Sequence, residues 1–327
     1  MGLLQYLVRV SEPSPKPKRR GRLLRFGAAL VVLLAVAGYL TVQYLTGSAA
    51  PKCRVVSAKG GQTSYEFTPE QAVNAATISA VGTTRGMSER AVTIALATAI
   101  QESGLRNIEH GDRDSLGLFQ QRPSQGWGTS KQIMDPTYAS GVFYDHLVKV
   151  PDYSRLPLTV AAQRVQRSGY PEAYAKHEPD AVLLAAALTG HAAATLTCQG
   201  RPTPTVGGGP DAVRAALVRD FGRDVLQTAG AEVGKGRSTS SPMAAVTSAA
   251  DAVTVPVPRK STASGTVRER GWELAHWAVA NSSALHIARV SYAGREWSRG
   301  GFADEWRAAG GSGAKASESE VRIVTGE

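Results

Sequence analysis

The segment AIQESGLRNIEHGDRDSLGLFQQRPSQGWG, residues 99–128, joins the end of a small-residue helix to a loop dense in Gly, Asp, Asn, Pro and Ser. Upstream, Ser88 before Glu89 supplies a helix N-cap. The apolar positions Val92, Ile94, Ala95 and Ala97 continue to Ile100, and Gly104 follows Ser103 as a stop signal. Glu102 therefore falls in the last turn of a helix. A Glu partly walled by apolar groups has its pKa raised, because desolvation disfavours the anion. Glycosidic cleavage needs such a carboxyl, still protonated near neutral pH, to protonate the leaving oxygen. A solvated Glu at a helix end is the commoner case, so position alone leaves both readings open.

The flanking residues narrow the choice. Glu102-Ser103 followed by Gly117-Leu118-Phe119-Gln120 resembles the E-S … G-L-M-Q signature of lytic transglycosylases and goose-type lysozymes. The resemblance covers about residues 66–190. It implies a lysozyme-like helical domain that cleaves the MurNAc–GlcNAc linkage of peptidoglycan, with Glu102 as general acid and Gln120 lining the sugar cleft. It further implies that Gly117 lets the backbone approach the sugar and that Ser103 supports Glu102 or touches substrate. Gly111-Asp112-Arg113 resembles the goose-type GDR triplet, which would make Asp112 the carboxylate that activates water in an inverting hydrolysis. Asp114 is a nearby substitute, and an Asx-type loop that caps its own backbone is the structural alternative for both.

Two departures bear on the chemistry. Goose-type enzymes carry a second Asp two residues beyond the Gln, where this chain has Arg122. If Asp112 is structural, Glu102 must act as acid and then base, the transglycosylase route in which the muramyl 6-hydroxyl closes a 1,6-anhydro ring. The transglycosylases' A-Y-N-A-G segment is replaced by AAQRVQRSGYPEAYAKH, residues 161–177, which offers Gln163, Gln166 and Tyr174. Trp127, Tyr138, Phe143 and Tyr144 are candidates to stack on sugar faces, and Gln121, Arg122, Ser124 and Gln125 supply polar contacts. His110, His146, His177 and His191 lack ligand spacing and read as ordinary histidines.

Working outward, the net charge of +10 resembles a nucleic-acid signal, but seven Lys and Arg against one Glu lie in the first 25 residues. That cluster precedes FGAALVVLLAVAGYLTVQYL, residues 26–45, twenty residues without a charge. As a helix this run is roughly 30 Å long, matching a hydrocarbon core. It predicts a transmembrane anchor over 24–46 in contact with the lipid bilayer, with 1–23 as a basic cytoplasmic tail and the rest exported. A cleaved signal peptide is the competing reading. Cys53 and Cys198 bracket the following segment without CxxC spacing, so beyond a membrane they are expected to form a disulfide, against two unrelated buried thiols.

Thr68-Pro69-Glu70-Gln71 opens another helix, with Thr as cap and Gln three residues on. Further helices are expected over 136–149, 157–168 and 179–196. Residues 201–264 read as a linker containing one amphipathic helix near 211–229, with 230–264 flexible. Residues 265–327 hold four of the five tryptophans and read as helix, strand and hairpin with a small polar tail. This piece resembles a domain related to zinc-dependent cell-wall peptidases. The relatives end in an H-x-H strand, whereas Glu320-Val321-Arg322-Ile323-Val324 has no histidine, so a non-catalytic remnant without metal is implied.

The expected fold class is thus mainly α: a single N-terminal transmembrane helix, a lysozyme-like domain over 50–200, a linker and a small α/β C-terminal domain. The expected activity is cleavage of peptidoglycan glycan strands without a cofactor. An inactive wall-binding or scaffold protein is the alternative. A transporter and a nucleic-acid partner are disfavoured by the single span and by the basic cluster beside the membrane.

Overall fold

Thr68 caps the first helix of the main unit as its sequence requires. Its hydroxyl accepts from Gln71 N at 3.3 Å while Gln71 Oε1 accepts from Thr68 N at 2.7 Å, so two otherwise orphan N–H groups are satisfied reciprocally. The same device recurs at Thr129 with Gln132 and at Thr266 with Glu269. In this computed structural model the described residues are 19–46, 52–60, 63–199, 208–227, 251–257, 265–300, 305–309 and 317–326. Residues 1–18 of the tail expected over 1–23, linker residues 201–207 and residues 230–250, 258–264 and 310–316 of the stretches expected to be flexible lie outside them.

The chain divides into two units, residues 1–49 and 50–327. The first contains α1, Arg19–Thr46. Among the described residues no helix is long and apolar enough to cross a membrane. This corrects the transmembrane anchor expected over 24–46 and with it the single-pass membrane localisation.

The second unit corrects the fold class as well. It combines helices with two antiparallel sheets rather than being mainly α. β1 (Lys52–Val56), β2 (Ser64–Phe67) and β3 (Leu196–Gln199) form one sheet in the order β2-β1-β3. Cys53 pairs with Cys198 directly across β1 and β3, and the two form the disulfide. Closing a loop with 145 residues of separation contributes about 5 kcal/mol in the chain-entropy model.

Helices α2 (Pro69–Thr84) and α3 (Glu89–Ser103) follow, then short α4 (Ser130–Ile133), α5 (Pro136–Leu147), α6 (Leu158–Gln166) and α7 (Glu178–Leu188). α3 is buried over most of its length and packs against α7, while α2 packs against α5. The helix expected over 179–196 ends at Leu188, because Gly190 takes φ +82° and the chain turns into β3. A Cβ on Gly190 would lie 1.9 Å from the Glu269 carbonyl oxygen.

After α8 (Pro210–Phe221) come β4 (Ala252–Pro256), α9 (Val267–Ala280), β5 (Ile287–Tyr292), β6 (Arg295–Ser298), β7 (Arg307–Ala308) and β8 (Glu320–Thr325). Their sheet runs β4-β8-β5-β6-β7. β4 lies in the stretch expected to be flexible, held there by five register pairs with β8. α9 packs against α2, α7 and β3, so the C-terminal segment shares its core with the helices. Asp220 of α8 is buried at that joint. It accepts from Arg219 Nε at 2.7 Å, Trp277 Nε1 at 2.8 Å and Thr77 Oγ1 at 3.3 Å.

Candidate functional site

The end of α3 is shaped by its cap. Gly104 adopts φ +63°, and its N–H and that of Leu105 return to the Ile100 and Ala99 carbonyls at 2.9 and 3.1 Å. Glu102 is thereby fixed in the final turn, half-buried. Tyr174 Oη donates to Glu102 Oε1 at 2.6 Å. Burial raises the Glu102 pKa above the usual carboxylate value, while hydrogen bonds from Tyr174 and Gln166 act to lower it. Tyr174 itself is pushed up by burial and by the neighbouring carboxyl, so it remains a phenol and a donor.

The Gly117–Gln120 segment is the tip of a small hairpin. Leu116 and Gln121 exchange both backbone bonds, at 2.9 and 3.0 Å. Ser103 ties this hairpin to α3: its Oγ lies 2.8 Å from Leu118 O and 3.1 Å from Ala99 O. Gln166 Nε2 donates to Phe119 O at 2.7 Å from the other side. The helix end, the hairpin and the 161–177 segment therefore converge on Glu102.

Gly117 has φ +75°, and a Cβ there would meet the Ile133 carbonyl at 2.8 Å. Its smallness serves packing in this structure. Gln120 takes the left-handed φ of +47° and donates from Nε2 to Gly117 O at 3.3 Å. Gly111 makes room for it, since a Cβ at Gly111 would lie 1.8 Å from Gln120 Oε1.

The other expected site residues divide. Gln121 is buried behind the hairpin, donating to Ala139 O at 3.1 Å, with Oε1 unpartnered. Trp127 stacks on His146 with ring centroids 4.2 Å apart, and Tyr138 Oη donates to Trp127 O at 3.4 Å, so these two support one another. Phe143 and Tyr144 are core residues.

Asp112 is not drawn into the site. Its side chain is 92% exposed and faces only Arg113, at 3.9 Å. Asp114 is taken up by Arg122 Nε at 2.7 Å and Ser124 N at 2.8 Å. Those donors hold its carboxyl far below the ordinary range. Neither acid contributes to the shift of Glu102.

Tyr174 and Gln166 were legible only as polar residues near the segment. Their approach to Glu102 is set by the 3-10 turn Pro171–His177 and by α6. Among the described residues no group of three or more His, Cys, Asp or Glu is placed to hold a metal ion. His276 has both ring nitrogens engaged, with Nδ1 2.7 Å from Ala187 O and Nε2 accepting from Thr195 N at 3.2 Å.

In class, this is a site with one half-buried carboxyl held by a phenol at a helix end, suited to donating a proton. No family model matches the chain, and no curated protein matches it.

Proposed function

We propose that the chain cleaves peptidoglycan glycan strands by the lytic transglycosylase route, with Glu102 as the only carboxyl acting on the sugar. The observation that carries this reading is the environment of Glu102: a carboxyl whose pKa burial raises, hydrogen-bonded by Tyr174, with Asp112 exposed and Asp114 engaged elsewhere. The Tyr174 bond occupies Oε1, which leaves the acidic proton on Oε2 to face a glycosidic oxygen. In the first half of the reaction that proton passes to the leaving oxygen and the C1–O bond breaks. In the second, the C6 hydroxyl of the muramyl ring adds to C1 and returns its proton to Glu102. Tyr174 supports the anion formed between these steps, and Ser103 with Gln166 keeps the Gly117–Gln120 hairpin against the helix end. A water-activating Asp112 is disfavoured by its exposure.

The test is mass spectrometry of muropeptides released from purified sacculi. The expected products carry 1,6-anhydro ends, and Glu102→Gln lowers release by about 100-fold or more. Reducing ends would replace the transglycosylase by a hydrolase. Release unaffected by Glu102→Gln would remove Glu102 as the acid, and no release by the folded wild-type chain would favour the wall-binding scaffold instead.

A further inference from the structure

The Gln120 side chain is fixed through both atoms of its carboxamide. Nε2 donates to Gly117 O at 3.3 Å, across the tip of the hairpin. Oε1 rests on the preceding loop, 1.8 Å from the place a Cβ on Gly111 would take, and Cδ lies 2.8 Å from that place. Non-bonded carbon atoms keep about 3.5–4.0 Å apart, so any side chain at Gly111 would displace the carboxamide. Ser115 O, 2.9 Å from the same point, leaves the newcomer little room on the loop's own side.

The loop that carries Gly111 is anchored without Gln120. Gly117 N donates to Ile108 O at 2.8 Å before it, and Ser115 N donates to Asp112 O at 3.1 Å within it. Asp114 ties it to the far side of the hairpin, accepting from Arg122 Nε at 2.7 Å and Ser124 N at 2.8 Å. The two residues before Gln120 are held from the site itself. Ser103 Oγ bonds Leu118 O at 2.8 Å and Gln166 Nε2 bonds Phe119 O at 2.7 Å. A continuous set of bonded groups therefore runs from the end of α3, beside Glu102, to the seat under Gln120.

The turn does not call for a glutamine. A φ of +47° favours glycine, so the side chain at this position has to be explained by what it contacts. One amide hydrogen goes to Gly117 O, and the carboxamide makes no other hydrogen bond among the described residues. The second hydrogen is left for an acceptor on a ligand.

We propose that Gly111 is a positioning residue: its lack of a side chain seats the Gln120 carboxamide, so that the remaining N–H meets an acceptor oxygen of the glycan strand. The Gly111-Asp112-Arg113 triplet then serves the site through its glycine. The inference rests on the peptidoglycan reading for the ligand, while the seat stands on its own geometry.

The test is a double-substitution cycle on the full chain, read as kcat/KM for cleavage of soluble glycan strands. Gly111→Ala is expected to lower kcat/KM by about tenfold, through KM, the size of one hydrogen bond. Gln120→Gly, which suits the left-handed backbone, is expected to cause the same loss. Adding Gly111→Ala to it is expected to cost nothing more. Asp112→Ala, in the same loop, is expected to match the wild type. An additive loss in the double variant would overturn the proposal. So would full activity of Gly111→Ala, a loss carried by kcat alone, or an equal loss from Asp112→Ala. Should Gly111→Ala fold only alongside Gln120→Gly, the clash with the carboxamide is shown through stability, whereas failure to fold in both backgrounds would overturn it. The seat is also read without turnover, from the Gln120 side-chain amide in a nitrogen–proton NMR spectrum, assigned by its loss in Gln120→Gly. Gly111→Ala is expected to shift that signal, and an unmoved signal would overturn the proposal. Failure of the catalytic reading is separable: strands stay uncut by the unmutated chain while the shift persists.

Discussion

Glu102 and His276 are both ionisable side chains whose charged form burial disfavours, yet their surroundings differ in a way that separates chemistry from architecture. His276 is fully buried between α9, α7 and the start of β3, with each ring nitrogen bonded to a backbone group. Trp272 and Trp306 pack around it at 5.4 and 5.9 Å. It has no capacity left for a ligand. Glu102 is half-exposed, bonded through one oxygen to a phenol, and borders a hairpin with a left-handed Gln120. Full satisfaction marks a joint, and incomplete satisfaction at a surface marks a place where something else can bind.

The comparison breaks most visibly at the joint. His276→Ala would leave the Thr195 N–H buried without a partner and open a cavity beneath two indoles, while the Ala187 carbonyl would keep only its bond from Gly190 N at 3.0 Å and the cap of α7. A loss of about 4 kcal/mol is expected in urea unfolding, and a loss under 1 kcal/mol would show that His276 is not holding the C-terminal segment. The wild-type chain offers a related test without substitution. Burial lowers the His276 pKa to about 4, against about 6.5 in an unfolded chain. Between those values the unfolded state binds the extra proton, so stability rises with pH and is lost on acidification. The loss from pH 6.5 down to about 4 is expected to be on the order of 3 kcal/mol. His146 and His177, also lowered by burial, act in the same direction but are more exposed. Stability constant across this window would mean that water reaches the joint.

How much of this was legible in the chain depends on the distance over which the signal acts. The caps at Thr68 and Ser88, the Gly104 stop and the position of Glu102 are local, since each depends on residues within one turn. The cystine was expected from spacing and from export behind an anchor; the pairing is present, while the anchor that motivated export is not found among the described residues. β1, in contrast, is a short strand paired on one side with β3, more than a hundred residues away. β4 reads as a Ser/Thr/Ala-rich linker until β8 comes beside it. Within the site, Glu102, Ser103 and the Gly117–Gln120 hairpin were visible as motifs. Asp112 was weighted by its triplet, but the triplet's tightest contact belongs to Gly111, against Gln120. The Tyr174 bond depends on a 3-10 turn in a segment whose departure from a known pattern concealed it.

The smallest effect is the most diagnostic, because it has the opposite sign. Burial raises the Glu102 pKa, so the native state keeps its proton at pH values where the unfolded chain has released it. Over that interval, from roughly pH 4.5 upward, the native state binds more protons and stability falls as pH rises. Glu102→Gln removes the ionisation and keeps an oxygen to accept from Tyr174. The variant is therefore expected to be more stable than the wild type at pH 7, with the gain vanishing near pH 4. A protein that becomes firmer when its acid is removed is holding that acid in an environment unfavourable to its charge, as a site kept for chemistry would. Should Glu102→Gln cost stability at pH 7, the carboxylate would be a supported structural anion, and the contrast with His276 would disappear.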